Sequence, residues 1–194
     1  LTRVGATVTI ARGPRDFAGA DVLVVPGVGA AAPAMDRLRA QDLVSPIRDW
    51  IAADRPFLGI CLGLQLLFDA SEEDGAETLG VIAGRTVRLA GAPTLPHIGW
   101  NQVERTREHP IFAGIAPGAD FYFVHSYAGM PAETSGDPTL ATTTHGAPFV
   151  SAVARGNLVG VQFHPERSGD DGLRLLGNVV AMAKAVNGRV AVPA

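Results

Sequence analysis

Short apolar runs bounded by turn residues are the feature that most constrains the fold of this chain. Between the second and third of these runs, residues 31–53 carry apolar side chains at helical spacing, with a break at Ser45-Pro46. A strand followed by helices and then by another strand predicts a parallel sheet in an α/β protein. The strand candidates are residues 7–11, 22–25, 57–60, 121–124 and 159–163.

Shorter β-type segments predominate after residue 75. They span residues 81–89, 139–144 and 149–154, and the Gly156-Asn157 dipeptide that follows them is a hairpin signal. A final helix is predicted over residues 172–187, where the apolar residues fall on one stripe. We therefore expect an α/β fold with a mostly parallel central sheet flanked by helices and with an additional β-rich part.

Length and composition limit the classes of function that this chain can serve. Its 194 residues, 47% of them hydrophobic, can bury one core, so we expect a single domain over residues 1–194. The net charge of -3 and the absence of a Lys/Arg cluster argue against nucleic acid as a partner. No run approaches the roughly 20 apolar residues that cross a bilayer, so no membrane is expected.

The cysteine count and the first residues of the chain lead to further expectations. One cysteine cannot form an internal disulfide and fits a reducing compartment, so we expect a soluble, cytoplasmic protein. The single cysteine and the spacing of the five histidines give no zinc motif, and we expect no metal. Residues 1–11 read as the end of a helix that runs into a strand, so we expect a strand and a helix ahead of Leu1.

The segment Gly59-Ile60-Cys61-Leu62-Gly63 follows an apolar strand and precedes an apparent helix start at residues 64–68. This pattern of glycine, nucleophile and glycine predicts a sharp turn that projects Cys61 above the sheet. The amide groups at the start of the following helix favour the reactive thiolate. The alternative is that Cys61 is a small buried hydrophobic residue, but such a residue has no need of a tight turn.

A base for such a thiol is available at the end of the apolar run 159–163, where His164-Pro165-Glu166 follows. In an extended backbone, residues two positions apart lie on one face, so Glu166 can hold the His164 imidazole in one tautomer. The alternative is a strand end at the surface with a solvated histidine and glutamate.

The glycine-rich turn after the strand at 22–25 has two interpretations. Extended to Ala32, it fits the dinucleotide fingerprint G-x-G-x-x-A, with Asp49 as a ribose ligand, which predicts an oxidoreductase. In the other interpretation, which we favour, the backbone N–H groups of Gly29 and Leu62 form an oxyanion hole and no nucleotide is required.

Together these segments resemble the triad-type, or class I, glutamine amidotransferases over nearly the whole chain. Within that family, they look most like the glutaminase subunit of imidazole glycerol phosphate synthase. The sister enzymes that feed anthranilate, carbamoyl phosphate or guanylate synthesis usually lack the PHIGWN motif at residues 96–101. The motifs are PGVG at 26–29, GICLGLQLLF at 59–68, PHIGWN at 96–101, FVHSY at 123–127 and GVQFHPE at 160–166.

The resemblance assigns roles residue by residue and implies a flavodoxin-like fold. It makes Cys61 the nucleophile, His164 the general base and acid, and Glu166 the orienting carboxylate, with Gly29 and Leu62 serving the oxyanion. It assigns glutamine binding to Gln65, Glu73, His125, Ser126 and Tyr127. It places His97, Trp100, Asn101 and Arg167 towards a partner subunit, although a tryptophan beside a glycine is as often a packing anchor. It also implies a preceding Asp-Tyr-Gly-x-Gly-Asn loop, which these residues do not contain.

The implied reaction is hydrolysis of glutamine through a Cys61 thioester, without a cofactor. The ammonia would pass to a (β/α)₈-barrel cyclase subunit that makes imidazole glycerol phosphate and AICAR in histidine biosynthesis. The alternatives are a glutaminase subunit of the anthranilate synthase type, the dinucleotide-binding oxidoreductase, and a scaffold that has kept the turn without its activity.

Overall fold

The computed structural model describes residues 1–133 and 136–187. Its four α-helices are α1 (Ala31–Ala40), α2 (Val44–Ala52), α3 (Leu62–Gln65) and α4 (Gly169–Asn187). The first strands are β1 (Leu23–Gly27), β2 (Phe57–Cys61), β3 (Ala70–Ser71), β4 (Gly84–Arg88), β5 (His97–Gln102) and β6 (Glu104–Arg105). The later strands are β7 (Asp120–His125), β8 (Tyr127–Pro131), β9 (Thr139–His145), β10 (Ala147–Arg155) and β11 (Leu158–Val161).

The largest sheet has six strands in the order β1-β2-β11-β10-β9-β6. Strands β1, β2 and β11 run parallel, whereas β11, β10, β9 and β6 pair antiparallel. The register sets Gly27 beside Cys61 and Val161 beside Ile60, so the three parallel strands end at one edge. The carboxyl ends of parallel strands are where α/β folds place their sites.

Of the β-rich segments predicted after residue 75, only 81–89 contributes to a smaller sheet, whereas 139–144 and 149–154 form β9 and β10 of the six-stranded sheet. Strands β3, β4 and β8 form a three-stranded sheet, and β5 pairs with β7 in a two-stranded ribbon. The ribbon leads directly into the site, because the N–H of His164 donates to the Tyr122 carbonyl of β7 at 2.8 Å.

Two clusters of buried hydrophobic residues pack against the two faces of the six-stranded sheet. One packs α4 against it through Leu175, Leu176 and Val179. The other packs α1 and α2 through residues such as Met35 and Trp50. Strand β2 runs between the clusters and is buried at all five positions, which explains its uninterrupted apolar sequence.

Most of the predicted elements are confirmed, and the strand over residues 7–11 is wrong. That segment is irregular, and Val8 and Ile10 are exposed. An extended segment becomes a strand only when a neighbour satisfies its backbone groups, and no strand of the described residues pairs with it.

Two predicted helix boundaries also need correction. The break between α1 and α2 lies at residues 41–43, and Ser45-Pro46 falls in the first turn of α2, where a proline removes no helical hydrogen bond. Helix α4 begins at Gly169 rather than at residue 172. Within the described residues, no helix is long and apolar enough to span a membrane.

Candidate active site

Cys61 lies at the corner between strand β2 and helix α3 and has a strained backbone. Its φ of 52° and ψ of -107° lie outside the regions that residues with a side chain normally occupy. Such conformations persist only where the surroundings impose them, and they concentrate at functional sites. The strain here turns the chain sharply at the end of a buried strand.

Two glycines make this corner possible by close approach. A β-carbon on Gly59 would lie 2.6 Å from the Gly63 carbonyl oxygen, and one on Gly63 would overlap the Val25 carbonyl oxygen. The helix after the corner therefore packs on strand backbone at a distance that no side chain permits. Gly160 leaves similar room for Leu64, whose Cδ1 lies 2.5 Å from the position of a β-carbon there.

The helix after Cys61 is shorter than the sequence suggests. It spans only four residues, Leu62–Gln65, whereas the predicted start was at residues 64–68. One turn supplies little macrodipole, because the dipoles of many aligned peptide units must add. A long helix dipole is therefore not available to Cys61 at this corner.

His164 and Glu166 stand on the 3₁₀ turn that follows strand β11. His164 Nδ1 lies 2.7 Å from Glu166 Oε1, and since a carboxylate only accepts, Nδ1 carries the proton. His164 Nε2 is buried and makes no hydrogen bond to any described residue. This nitrogen is therefore the free position of the ring, as a general base requires.

The surroundings of His164 favour its charged form. Cys61 is the largest influence and Glu166 the next, and together they raise the pKa of His164 to about 9 against a smaller effect of burial. The sulfur exerts this influence although its geometry with Nε2 falls short of a hydrogen bond. Burial raises the pKa of Glu166, but the hydrogen bond from His164, a backbone hydrogen bond and the charges of His164 and Arg167 together leave that pKa lowered.

Replacing Cys61 with alanine is expected to lower the pKa of His164 from about 9 towards its ordinary value, because the largest cause of the shift is removed. An NMR titration of the His164 ring in both proteins measures this change. A group with a raised pKa in the folded state stabilises the fold below its ordinary value of 6.5, and this contribution is lost as pH rises through about 9. An unchanged titration in the variant would contradict the pairing of Cys61 with His164.

Gln162 lies beside Cys61, and no role was expected for it from the sequence. Its side chain is fully buried, and its Nε2 lies 3.5 Å from Cys61 Sγ. Its Oε1 accepts a hydrogen bond from Gln65 Nε2 at 3.1 Å. A signal was present, because Gln162 precedes His164 by two positions, and alternate residues of an extended segment share a face.

Three of the residues assigned to glutamine binding, Gln65, His125 and Tyr127, are linked by hydrogen bonds. Gln65 Nε2 donates to the Tyr127 carbonyl at 2.8 Å, and His125 Nδ1 donates to the same oxygen at 2.8 Å. Ser126 lies between strands β7 and β8, and its carbonyl accepts the Leu89 N–H. Gln65 thus has both N–H groups engaged, which leaves its carbonyl oxygen as the group that it can offer a ligand.

Glu73 stands apart from that group, on the exposed turn after strand β3. Its backbone N–H donates to Ser71 Oγ at 3.3 Å. Burial and the neighbouring Asp74 raise the pKa of its carboxyl. The described residues include no hydrogen bond from Glu73 to Cys61, His164 or Gln65.

The segment after strand β1 borders the cleft in front of His164. This cleft, of about 340 Å³, is lined by Pro26, Gly27, Val28, Ile60, Val124, His164, Glu166 and Arg167. Gly29 has a φ of +93° and open space around it. Asp49 is exposed within α2 rather than at the end of a strand, so it does not occupy the position that a dinucleotide fingerprint requires.

Residues 2–181 match the family described as glutamine amidotransferase class-I. The HisH subunit of imidazole glycerol phosphate synthase from Cyanothece sp. is 47% identical over 189 residues, which cover 95% of this chain and 89% of that protein. The chain is a class-I glutamine amidotransferase of the HisH type. The HisH subunit from Chloroflexus aurantiacus is also 47% identical, with 96% and 89% of the two chains covered. The resemblance stated from the five motifs is confirmed.

Solved structures of a glutamine amidotransferase and of a glutaminase domain share the fold at low identity. One, described simply as glutamine amidotransferase, has a TM-score of 0.68 at 18% identity, over 96% of this chain and 89% of that one. The glutaminase domain of Trypanosoma brucei CTPS with bound acivicin has a TM-score of 0.61 at 17% identity, over 92% and 75%. These likenesses confirm the predicted α/β fold.

His97 and Trp100, two of the residues expected near a partner, lie on the PHIGWN strand of this HisH-type chain but differ in burial. His97 is buried, with its ring stacked on Phe123 and its Nδ1 3.1 Å from His125 Nε2, so its side chain belongs to the core. Trp100 is 57% exposed and packs edge-on against Tyr122. His97 is therefore a core residue, contrary to its expected place towards a partner, and a partner contact stays a prediction for Trp100.

Asn101 lies on that strand and Arg167 on the turn after His164, and the two side chains make different contacts. Asn101 Nδ2 donates to the Thr144 carbonyl at 2.9 Å, which ties β5 to β9. The Arg167 guanidinium lies 4.2 Å from the centre of the Tyr122 ring. Among residues 1–133 and 136–187, no group of histidine, cysteine or acidic side chains has the arrangement of a metal site.

Proposed function

We propose that this chain hydrolyses glutamine to glutamate and ammonia through Cys61, His164 and Glu166, as the glutaminase subunit of an imidazole glycerol phosphate synthase in histidine biosynthesis. The observation that carries the proposal is a strained cysteine at a strand-to-helix corner beside an imidazole that is oriented by a carboxylate. This arrangement fits nucleophilic attack on an amide. A single free thiol suits a reducing cytoplasm, where we place the protein.

In the proposed mechanism, the Cys61 thiolate attacks the carboxamide carbon of glutamine. The N–H groups of Gly29 and Leu62 receive the oxyanion of the tetrahedral intermediate. The intermediate collapses as the His164 imidazolium donates its Nε2 proton to the departing ammonia, which leaves a γ-glutamyl thioester. Neutral His164 then takes a proton from water, and the resulting attack releases glutamate and restores the thiolate.

The reacting atoms are shielded in this conformation, which supports control by a partner. Cys61 is 5% exposed, and His164 Nε2 is inaccessible to solvent. The neighbouring Val28 is exposed, and Gly29 has open space around it. We therefore propose that movement of residues 28–30 admits glutamine and aims the Gly29 N–H at the oxyanion.

The proposed docking face for the cyclase surrounds the mouth of the cleft. Ile98 is 60% exposed and Trp100 is 57% exposed, on alternate positions of the edge ribbon. Arg167 and Val124 continue this surface into the cleft itself. Ammonia released into bulk water is protonated and lost as a nucleophile, so a (β/α)₈-barrel cyclase docked over the cleft must receive it directly.

The test is to measure glutamate release by the chain alone and with the cyclase subunit of imidazole glycerol phosphate synthase and its ligand. We expect acceleration of about 10²- to 10³-fold in the complex, since one well-aimed oxyanion donor contributes about that factor. The Trp100→Ala variant should need a higher cyclase concentration for half-maximal activation. Equal rates with and without the cyclase would refute control by the partner, and no glutamate in either case would refute the glutaminase itself.

A further inference from the structure

We propose that Gln162 is a further catalytic residue, whose side-chain amide donates a hydrogen bond to the Cys61 sulfur and stabilises the thiolate. The inference rests on the proposed glutaminase function and deepens it. The contact is Gln162 Nε2 to Cys61 Sγ at 3.5 Å, an ordinary length for a hydrogen bond to sulfur. It reaches the reacting atom itself, from a residue to which the motif comparison gave no role.

The orientation of the Gln162 amide follows from its partners. The Tyr127 carbonyl is only an acceptor, so the Gln65 atom 2.8 Å from it is the NH₂ nitrogen. That nitrogen lies 3.1 Å from Gln162, and a donor there must meet the Gln162 carbonyl oxygen. The other Gln162 atom, which faces the sulfur, is therefore the NH₂ group. The amide cannot flip without setting two donors or two acceptors against each other.

The Tyr127 carbonyl is itself held by a chain of hydrogen bonds whose directions agree. His125 donates to it from Nδ1, which leaves Nε2 to accept from His97 Nδ1 at 3.1 Å. His97 Nε2 then accepts from Asn101 Nδ2 at 3.2 Å. In this chain each of the two rings donates one hydrogen bond and accepts one, as a neutral imidazole does. Burial is the largest cause that lowers the pKa of both histidines to about 4, which keeps them neutral. Each group from strand β5 to Gln162 thus has a fixed role as donor or acceptor, with His125 and Gln65 both donating to the Tyr127 carbonyl.

Burial strengthens the hydrogen bond from Gln162 to the Cys61 sulfur. Gln162 is 0% exposed, so bulk water does not compete for its N–H in the folded chain. The one-turn helix after Cys61 adds little dipole, which leaves the imidazolium of His164 and this amide as the groups that face the charge. A hydrogen bond to an ionised group contributes more than one between neutral groups.

The experiment compares Gln162→Met with the wild-type chain. Methionine keeps the length of the side chain but donates nothing to sulfur. The rate of iodoacetamide alkylation is measured across pH, and because Cys61 is the only cysteine, the reaction reports on its sulfur alone. We expect the midpoint pH of this rate to rise by about one unit, which corresponds to an about tenfold smaller thiolate fraction below the midpoint, with no loss of the plateau at high pH.

The matched control is Ser151→Ala, which changes a buried polar side chain next to the same segment. Ser151 is fully buried, its carbonyl accepts the Gln162 backbone N–H, and its hydroxyl has no partner among the described residues. This variant should keep the wild-type midpoint. A purely structural role for Gln162 would instead lower the plateau and leave the midpoint in place.

Glutamine turnover by the cyclase complex distinguishes the role of Gln162 from the proposed glutaminase function. We expect Gln162→Met to lower kcat/KM about tenfold near neutral pH and to shift the acidic limb of its pH profile upward by the same amount as the alkylation midpoint. An active wild type with an unmoved midpoint in the variant would overturn the role of Gln162 alone. A wild-type complex that releases no glutamate would overturn the proposed function instead.

Discussion

The Cys61→Ala variant is expected to release no measurable glutamate from glutamine, with kcat at least about 10⁴-fold below that of the wild type in the same cyclase complex. No other side chain at the corner can form the thioester, because Cys61 is the only cysteine of the chain. What remains is the smaller acceleration that an oxyanion site and binding give to attack by water. A coupled assay for glutamate over several hours measures it.

The control for this variant is its assembly with the cyclase. Cys61 is buried beneath the cleft, so loss of its sulfur should leave the docking face of Ile98, Trp100 and Arg167 unchanged. The dissociation constant of the complex should therefore match that of the wild type. Retained glutaminase activity in the Cys61→Ala complex would refute the assignment of the nucleophile.

The Gly63→Ala variant is expected to lose about 3 kcal/mol of the free energy of unfolding, or more, and with it most of the glutaminase activity. A β-carbon at this position overlaps the Val25 carbonyl oxygen. That oxygen belongs to the backbone of strand β1, which cannot move aside as a flexible side chain can. Either the strand or the corner that carries Cys61 must shift. Denaturant unfolding followed by circular dichroism measures the loss.

Gly13→Ala is the matched control for that variant. Gly13 has an extended φ of -167°, which any residue adopts, and a β-carbon there meets no atom within 4 Å. Its free energy of unfolding should stay within about 0.5 kcal/mol of the wild type. Equal stabilities of Gly63→Ala and Gly13→Ala would show that the corner tolerates a side chain, against the packing described.

Much of the arrangement around the nucleophile could be predicted from local patterns. The spacing of Gly59, Cys61 and Gly63 indicated a sharp corner, and the structure shows why, since both glycines approach backbone too closely for a β-carbon. The spacing of His164 and Glu166 indicated one shared face, and the two side chains are hydrogen bonded at 2.7 Å. Both features depend on residues within a few positions of each other.

Features that depend on partners distant in the chain could not be predicted in the same way. Residues 7–11 have the composition of a strand, but strand formation needs a neighbour, and they are irregular. His97 and Trp100 lie three positions apart on one strand and so face opposite sides, but only the packing of β5 decides which of the two rings enters the core.

The sequence by itself determined the α/β class, because apolar period acts over short distances along the chain. Its five motifs determined the family and indicated the residues around which we propose a glutaminase. Only the tertiary structure decided which groups face the Cys61 sulfur. Gln162 and Gln65 are separated by 97 positions, and the hydrogen bond between them exists only once parallel strands β2 and β11 lie side by side. The orientation of a buried amide is set by such contacts, and no local pattern encodes them.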